Sequence, residues 1–142
     1  MHDAVTISLT VDCPWQSVYE AFWRPEAFPL WASGLSQSQL SRQGERWLAQ
    51  GPEGSVVIRF TPHNSYGVMD HWVELEDGQE AYVPLRIIAN GDGAEVQLTL
   101  FRLPLMDEAA DEATFQRDAD WVRRDLAALK ALAETTISIS AG

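Results

Sequence analysis

A single apolar stripe near the end of the chain constrains the fold more than any other feature of the sequence. Its members step by four, three, four, three and four residues: Phe115, Ala119, Val122, Leu126, Leu129 and Ala133. This spacing predicts one amphipathic helix. The helix is expected to run from about Asp111, or from Asp107 if the first acidic turn joins it, to about Glu134. Such a helix must lay its apolar face on a sheet or on other helices.

Short runs of alternating apolar and polar residues precede this helix, and turn signals separate them. The first run is Val5–Val11. A helix that opens at Pro14 and stops at Pro25, and a second short helix or turn up to Gly34, follow it. Six further runs predict strands: 36–42, 45–50, 56–61, 68–75, 79–89 and 95–102. Short turns between successive strands indicate an antiparallel meander.

The sequence therefore predicts an α+β fold in one domain over residues 1–142. A curved seven-stranded antiparallel sheet is expected around the long C-terminal helix, with two short helices between strands 1 and 2. The core is expected over about 5–134, and the tail at 135–142 is expected to be loose because it lacks the helical pattern. A strongly curved sheet can leave a cavity between itself and the helix, which is where function is expected.

Composition excludes several classes of partner. The formal charge of −11 argues against binding to nucleic acid and to anionic membranes. The single cysteine, Cys13, permits no intrachain disulfide and no thiolate metal cluster. The three histidines show no metal-ligand spacing, so neither a metal nor a cofactor is predicted. No signal peptide or membrane-spanning run is visible, and a cytoplasmic monomer or homodimer is expected.

An aspartate and a histidine stand side by side in the stretch GVMDHWVEL, at positions 70 and 71. Neighbouring residues on a regular strand point to opposite faces, so Asp70 and His71 are not expected to form a dyad. The face that carries His71 is the more apolar, which places His71 toward the cavity and Asp70 outward. A bulge near Gly67 would reverse this assignment. If Asp70 faces outward, a cross-strand arginine such as Arg59 or Arg86 is its expected partner.

Two other groups of side chains are candidates for ligand contact. Arg102 continues the inward parity of the last strand, so it binds either a ligand carboxylate or an acid of the long helix. Aromatic residues at Phe28, Trp31, Trp47 and Trp121 either stack on a flat apolar ligand or belong to the core. Trp15 and Trp23 are interpreted as structural.

The stretch VDCPWQSVYEAFWRPEAFPLWASGL resembles the START/Bet v 1-like superfamily, also called the helix-grip or SRPBCC group, and within it the polyketide cyclase/dehydrase-like small bacterial proteins. The likeness rests on the order of elements and on six positions: Pro14, Tyr19, Phe22, Pro25, Trp31 and Gly34. The resemblance implies a deep, mostly apolar pocket between sheet and C-terminal helix. It does not imply one activity, since this superfamily includes carriers, receptors, cyclases and chaperone activators.

Three functions stay open on this basis. The first is binding of a small hydrophobic or aromatic molecule. The second is a cofactor-free cyclase, dehydratase or isomerase in which His71, and Asp70 after a register shift, moves a proton. The third is an interaction domain of the chaperone-activator type. The expected ligand-binding residues are Phe28, Trp31, Trp47, Ile58, Phe60, Met69, His71, Val73, Leu85, Leu98, Arg102, Trp121 and Val122.

Overall fold

A computed structural model of the chain describes residues 1–36, 38–51, 54–74, 78–102 and 108–141. Eight strands and two α-helices are formed within these residues. In chain order they are β1 Ala4–Val11, α1 Trp15–Phe22, β2 Gln39–Gln43, β3 Arg46–Gly51, β4 Gly54–Phe60, β5 His71–Glu74, β6 Glu80–Val83, β7 Leu85–Asn90, β8 Gly93–Phe101 and α2 Glu108–Ala141. Two 3-10 turns, Pro25–Leu30 and Ser33–Leu35, stand where the second short helix was expected.

The strands form two antiparallel sheets. One sheet has three strands in the order β1-β8-β7, and the other has five in the order β2-β3-β4-β5-β6. The α+β class, the antiparallel pairing and the long C-terminal helix agree with the expectation. The single seven-stranded sheet was wrong, because the run at 79–89 is two strands that belong to different sheets.

Pro84 is the physical reason for this division. A proline has no N–H to donate to a neighbouring strand, so the ladder between β5 and β6 ends there. The register nevertheless continues across the break, since His71 pairs with Val83 and Val68 forms an isolated bridge with Arg86. The two sheets therefore meet at Pro84 and do not form one continuous ladder.

The core lies where α2 crosses the three-stranded sheet. Leu126, Leu129 and Ala133 of the predicted stripe are fully buried. They belong to one cluster with α1 and with the inward residues of β1, β7 and β8. The periodic pattern thus identified the face of α2 that stabilises the fold by removing apolar surface from water.

Helix α2 is longer than the predicted span, which ended at about Glu134. Helix α2 continues to Ala141. Ile137 lies four residues beyond Ala133 on the same face and packs against the core, which supplies the contact that an extended helix needs. Among the described residues, no helix combines the length and apolar character needed to cross a lipid bilayer.

Candidate functional site

Asp70 and His71 diverge in the structure, so they do not act as a pair. The carboxylate of Asp70 accepts hydrogen bonds from the Tyr82 hydroxyl at 2.8 Å, the Leu85 amide at 2.9 Å and Nη2 of Arg86 at 3.0 Å. His71 instead packs against Phe28, with 5.3 Å between ring centroids. The two neighbouring side chains therefore have different partners.

The surroundings of Asp70 correct one detail of the prediction. Its side chain is buried, although it was expected to face outward. Burial alone would raise the pKa of this carboxyl, but the hydrogen bonds from Arg86, Tyr82 and Leu85 outweigh burial and hold the pKa below its usual value. Arg86 is one of the two partners expected from the sequence. Asp70 accepts the Leu85 amide beside Pro84, so it stabilises the break between the sheets.

His71 lies at the inner end of an aromatic cluster. Phe60 stands 4.7 Å from Phe28 and 6.0 Å from His71, and Trp47 lies 6.5 Å from Phe60, all between ring centroids. Burial lowers the pKa of His71 below its usual value, so the ring is neutral at pH 7. Its Nδ1 lies 3.2 Å from the Met69 carbonyl, which can only accept, so Nδ1 carries the proton. Nε2 is therefore an unprotonated acceptor.

A groove opens beside this cluster at the edge of the five-stranded sheet. We call it the edge groove, and its volume is about 750 Å³. Its walls are the corner after α1, the β2–β3 turn and the end of β4, with these residues: Trp23, Arg24, Pro25, Glu26, Arg42, Gly44, Glu45, Trp47, Arg59, Phe60, Thr61, Pro62, His63 and Trp72. Trp47 and Phe60 line the groove and also belong to the aromatic cluster, so the two are continuous.

The strand register explains how the inner wall forms. Arg42 pairs with Trp47, and Trp47 pairs with Ile58, so these three side chains share one face of the sheet. Ile58 is buried on that face. Phe60 follows Ile58 with the same parity and is partly buried against the core. The edge groove therefore begins on the core-facing side of the sheet.

Three arginines line the edge groove. The Arg59 guanidinium lies 4.7 Å from the centre of the Trp72 ring and 3.5 Å from a carboxylate oxygen of Glu80. Arg24 stacks over Trp23 at 5.5 Å. Nε of Arg42 donates to the Gly44 carbonyl at 3.0 Å. Guanidinium groups stack on indole faces through cation–π attraction, and their planar N–H donors match the oxygens of a carboxylate or phosphate.

A histidine–carboxylate pair stands at the rim of the edge groove. Nε2 of His63 lies 2.7 Å from a carboxylate oxygen of Glu20. The His63 ring packs edge-on to Trp23, with 4.8 Å between centroids. Both partners of the pair are about half exposed, so the contact contributes little to stability.

Several of the expected ligand-binding residues lie within the packed core. Phe28, Trp31, Ile58, Met69, Leu85 and Leu98 are all buried. Val73 pairs with Ile58 on the same face, and Val122 packs against the core cluster.

A second cleft, of about 370 Å³, separates part of β1 from α2 and is lined by Ile7 and Leu126 among others.

Arg102 and Trp121 are not among the residues that line the edge groove. Arg102 forms ion pairs with Asp3, at 3.3 Å, and with Glu112 of α2, which is the acid-of-the-helix alternative left open by the sequence. Trp121 is 40% exposed, and its indole N–H donates to the Ser33 hydroxyl. That hydroxyl in turn donates to Asp125 at 2.7 Å, so Trp121 fastens the second 3-10 turn to α2.

Sequence reasoning missed most of the edge groove. It treated Trp23 as structural and did not consider Arg24, Arg42, His63 or Trp72 as ligand contacts. Hairpin register was the signal that could have found Arg42, because a turn at Gly44–Glu45 pairs Arg42 with Trp47. Within the described residues, no three histidine, cysteine or acidic side chains are placed to hold a metal ion.

The sequence matches no protein-family model, and a search of curated proteins finds no significant match. Solved structures do share the architecture. XoxI from Bacillus cereus is 14% identical, with 90% of this chain and 93% of XoxI covered and a TM-score of 0.69. DynU16, from the dynemicin biosynthetic locus, is 18% identical, with 95% of this chain and 48% of DynU16 covered and a TM-score of 0.66. Ara h 8.0201 is 11% identical, with 96% and 100% covered and a TM-score of 0.57. The chain therefore has the START/Bet v 1-like, helix-grip fold.

Proposed function

We propose that this chain binds a small hydrophobic or aromatic molecule in the edge groove, with the aromatic cluster at its inner end. The observation that carries the proposal is the position of Trp47 and Phe60, which line the groove and continue into the cluster that contains His71. A volume of about 750 Å³ is within the range of small-molecule sites. The location of DynU16 in a biosynthetic locus agrees with small-molecule chemistry in this fold.

The proposal differs in place from the cavity expected between sheet and C-terminal helix. Trp47 and Phe60 lie on the core-facing side of the sheet. The edge groove therefore extends from the edge of the sheet toward the cavity that the sequence predicted. Phe28 and His71 pack against Phe60, whereas Leu85 and Leu98 are buried on the three-stranded sheet. The ligand would lie against the indole of Trp47 and the ring of Phe60, where flat apolar molecules stack favourably.

Fluorescence titration with the neutral dye N-phenyl-1-naphthylamine tests this function. Its emission is expected to rise on addition of the protein and to saturate at one site. Trp47→Ala removes the stacking surface and should weaken binding at least about fivefold, since one aromatic contact is worth about 1 kcal/mol or more. Trp121→Ala, which alters an exposed indole outside the groove, is the matched control and should leave the affinity unchanged. Equal losses in the two variants would contradict the proposal.

A second candidate is the cofactor-free cyclase, dehydratase or isomerase. One observation favours it: the neutral His71 ring presents an unprotonated Nε2 within the aromatic cluster. A base in that state can take a proton from carbon beside a carbonyl in a bound aromatic or polyketide-like molecule. Asp70 has no direct part in this candidate, because Arg86, Tyr82 and Leu85 occupy its oxygens. Nitrogen-15 NMR spectra that placed the ring proton on Nε2 would remove it.

A further inference from the structure

Some of the few cationic side chains of this acidic chain line the edge groove. The chain has ten lysines and arginines against a net charge of −11, and three of the ten line this one groove. Two glutamates, Glu26 and Glu45, also line it. The groove lining thus has three arginines and two glutamates, and Arg59 and His63 also have Glu80 and Glu20 beside them. Because salt screens charges that lie more than about 8 Å away, an arginine of the groove that lacks an acidic partner is the group best placed to hold an anion there.

Two of these arginines have guanidinium groups that are not neutralised by an acid. Within the ranges that the structure describes, neither Arg24 nor Arg42 forms an ion pair. Arg42 uses Nε for the Gly44 carbonyl, which fixes the guanidinium at the turn and leaves its two amino groups for another acceptor. Arg59 already has Glu80 and Trp72 as partners.

The arginine positions relative to the aromatic rings indicate the shape of the acceptor. Arg42 is the direct cross-strand neighbour of Trp47, and Arg24 lies over Trp23. Trp47 and Trp23 both line the edge groove. A ring that stacks on Trp47 therefore brings a substituent at its edge within reach of a guanidinium. Paired N–H donors on a plane match the two oxygens of a carboxylate.

We propose that the molecule bound in the edge groove is an aromatic carboxylate, with Arg42 and Arg24 holding its acid group and Trp47 and Phe60 contacting its ring. This inference rests on the proposed function and narrows its ligand class. The chain would then distinguish an acid from its neutral amide although both have the same ring. No covalent step is required.

Calorimetric titration with 2-naphthoate and with 2-naphthamide tests the inference. The two probes have the same ring and nearly the same shape, and only the first is charged. We expect 2-naphthoate to bind at least about tenfold more tightly than the amide, because hydrogen bonds to a charged acceptor are stronger than those to a neutral one. Arg42→Gln and Arg24→Gln should each weaken 2-naphthoate at least about threefold while leaving 2-naphthamide unchanged.

Arg124→Gln is the matched control, because it removes the same charge from an exposed position on α2 outside the groove. It should leave the affinity for both probes unchanged. Equal affinity of the wild-type chain for acid and amide would overturn the carboxylate assignment while the proposed function stood, as would an equal loss in Arg124→Gln. Failure of both probes to bind would overturn the assignment and the proposed function together. The wild-type comparison needs no variant, so it is decisive even if a substitution impairs folding.

Discussion

At the scale of single residues, Asp70 and His71 show how a strand separates adjacent side chains into different chemistry. Alternation along the strand was visible in the sequence and predicted that the two side chains would not form a dyad. The burial of Asp70 was not visible, because it depends on Arg86, Tyr82 and the amide of Leu85, which lie twelve to sixteen positions away. Pairing across strands brings those donors to the carboxylate.

The lowered pKa of His71 predicts a specific loss of stability in weak acid. The unfolded chain binds a proton near the usual histidine pKa of 6.5, whereas burial resists protonation in the folded protein. The stability that neutral His71 contributes is therefore complete above about pH 6.5 and is lost as the pH falls below it.

Urea denaturation at pH 8 and pH 5.5 should show a larger decrease in the free energy of unfolding for the wild-type chain than for His71→Phe. A decrease in His71→Phe as large as that of the wild-type chain would contradict this account. Asp70 titrates in a separate range, since its contribution is lost only below about pH 3.8.

At the scale of elements, periodicity predicted which faces are buried, but small errors in turn position changed which side chains were expected to lie opposite each other on neighbouring strands. The pattern placed the β2–β3 turn at Gln43–Gly44, whereas the structure has it at Gly44–Glu45. Moving the turn by one residue changes the direct cross-strand partner of Trp47 from Leu40 to Arg42, so Arg42 was not recognised as its neighbour. The run at 79–89 was likewise read as one strand, because apolar alternation continues through Pro84. Helix α2 was the most predictable element, since its stripe repeats over several turns.

Gly67 provides a test of the join between the sheets. It has a φ of +71°, its carbonyl accepts the Ile87 amide at 2.9 Å, and a Cβ at this position would meet the Ile87 carbonyl and the Trp15 ring. Gly67→Ala should therefore lower the free energy of unfolding by the backbone penalty of about 1–2 kcal/mol and by a further 1–3 kcal/mol, roughly, from the clash. Gly44→Ala is the matched control, because Gly44 has a φ of +68° with open space around it. Equal losses of stability in Gly67→Ala and Gly44→Ala, measured by urea denaturation, would show that Gly67 does not lie this close to Ile87 and Trp15.

At the scale of the whole molecule, the sequence predicted the α+β class, the antiparallel pairing and the long C-terminal helix but not the division into two sheets. Solved structures at 11–18% identity share the architecture. The candidate site was less predictable, since the edge groove combines the corner after α1, a hairpin and the end of β4. These segments become neighbours only after the five-stranded sheet has formed. Of the expected ligand-binding residues, Trp47 and Phe60 line the groove. The other aromatic rings and the arginines of the groove could be identified only from the tertiary structure. The fold fixes the frame, and the side chains at the sheet edge would determine the ligand.

The most direct test of the central claim is the NMR spectrum of the six indole N–H groups, one for each tryptophan. Single Trp→Phe substitutions assign the six signals, and N-phenyl-1-naphthylamine is then added to the wild-type chain. A ligand in the edge groove should shift the signals of Trp23, Trp47 and Trp72, which line it, and leave those of Trp15 and Trp121 in place. Saturating binding that shifts Trp121 or Trp15 and leaves Trp47 unchanged would contradict the edge groove as the binding site.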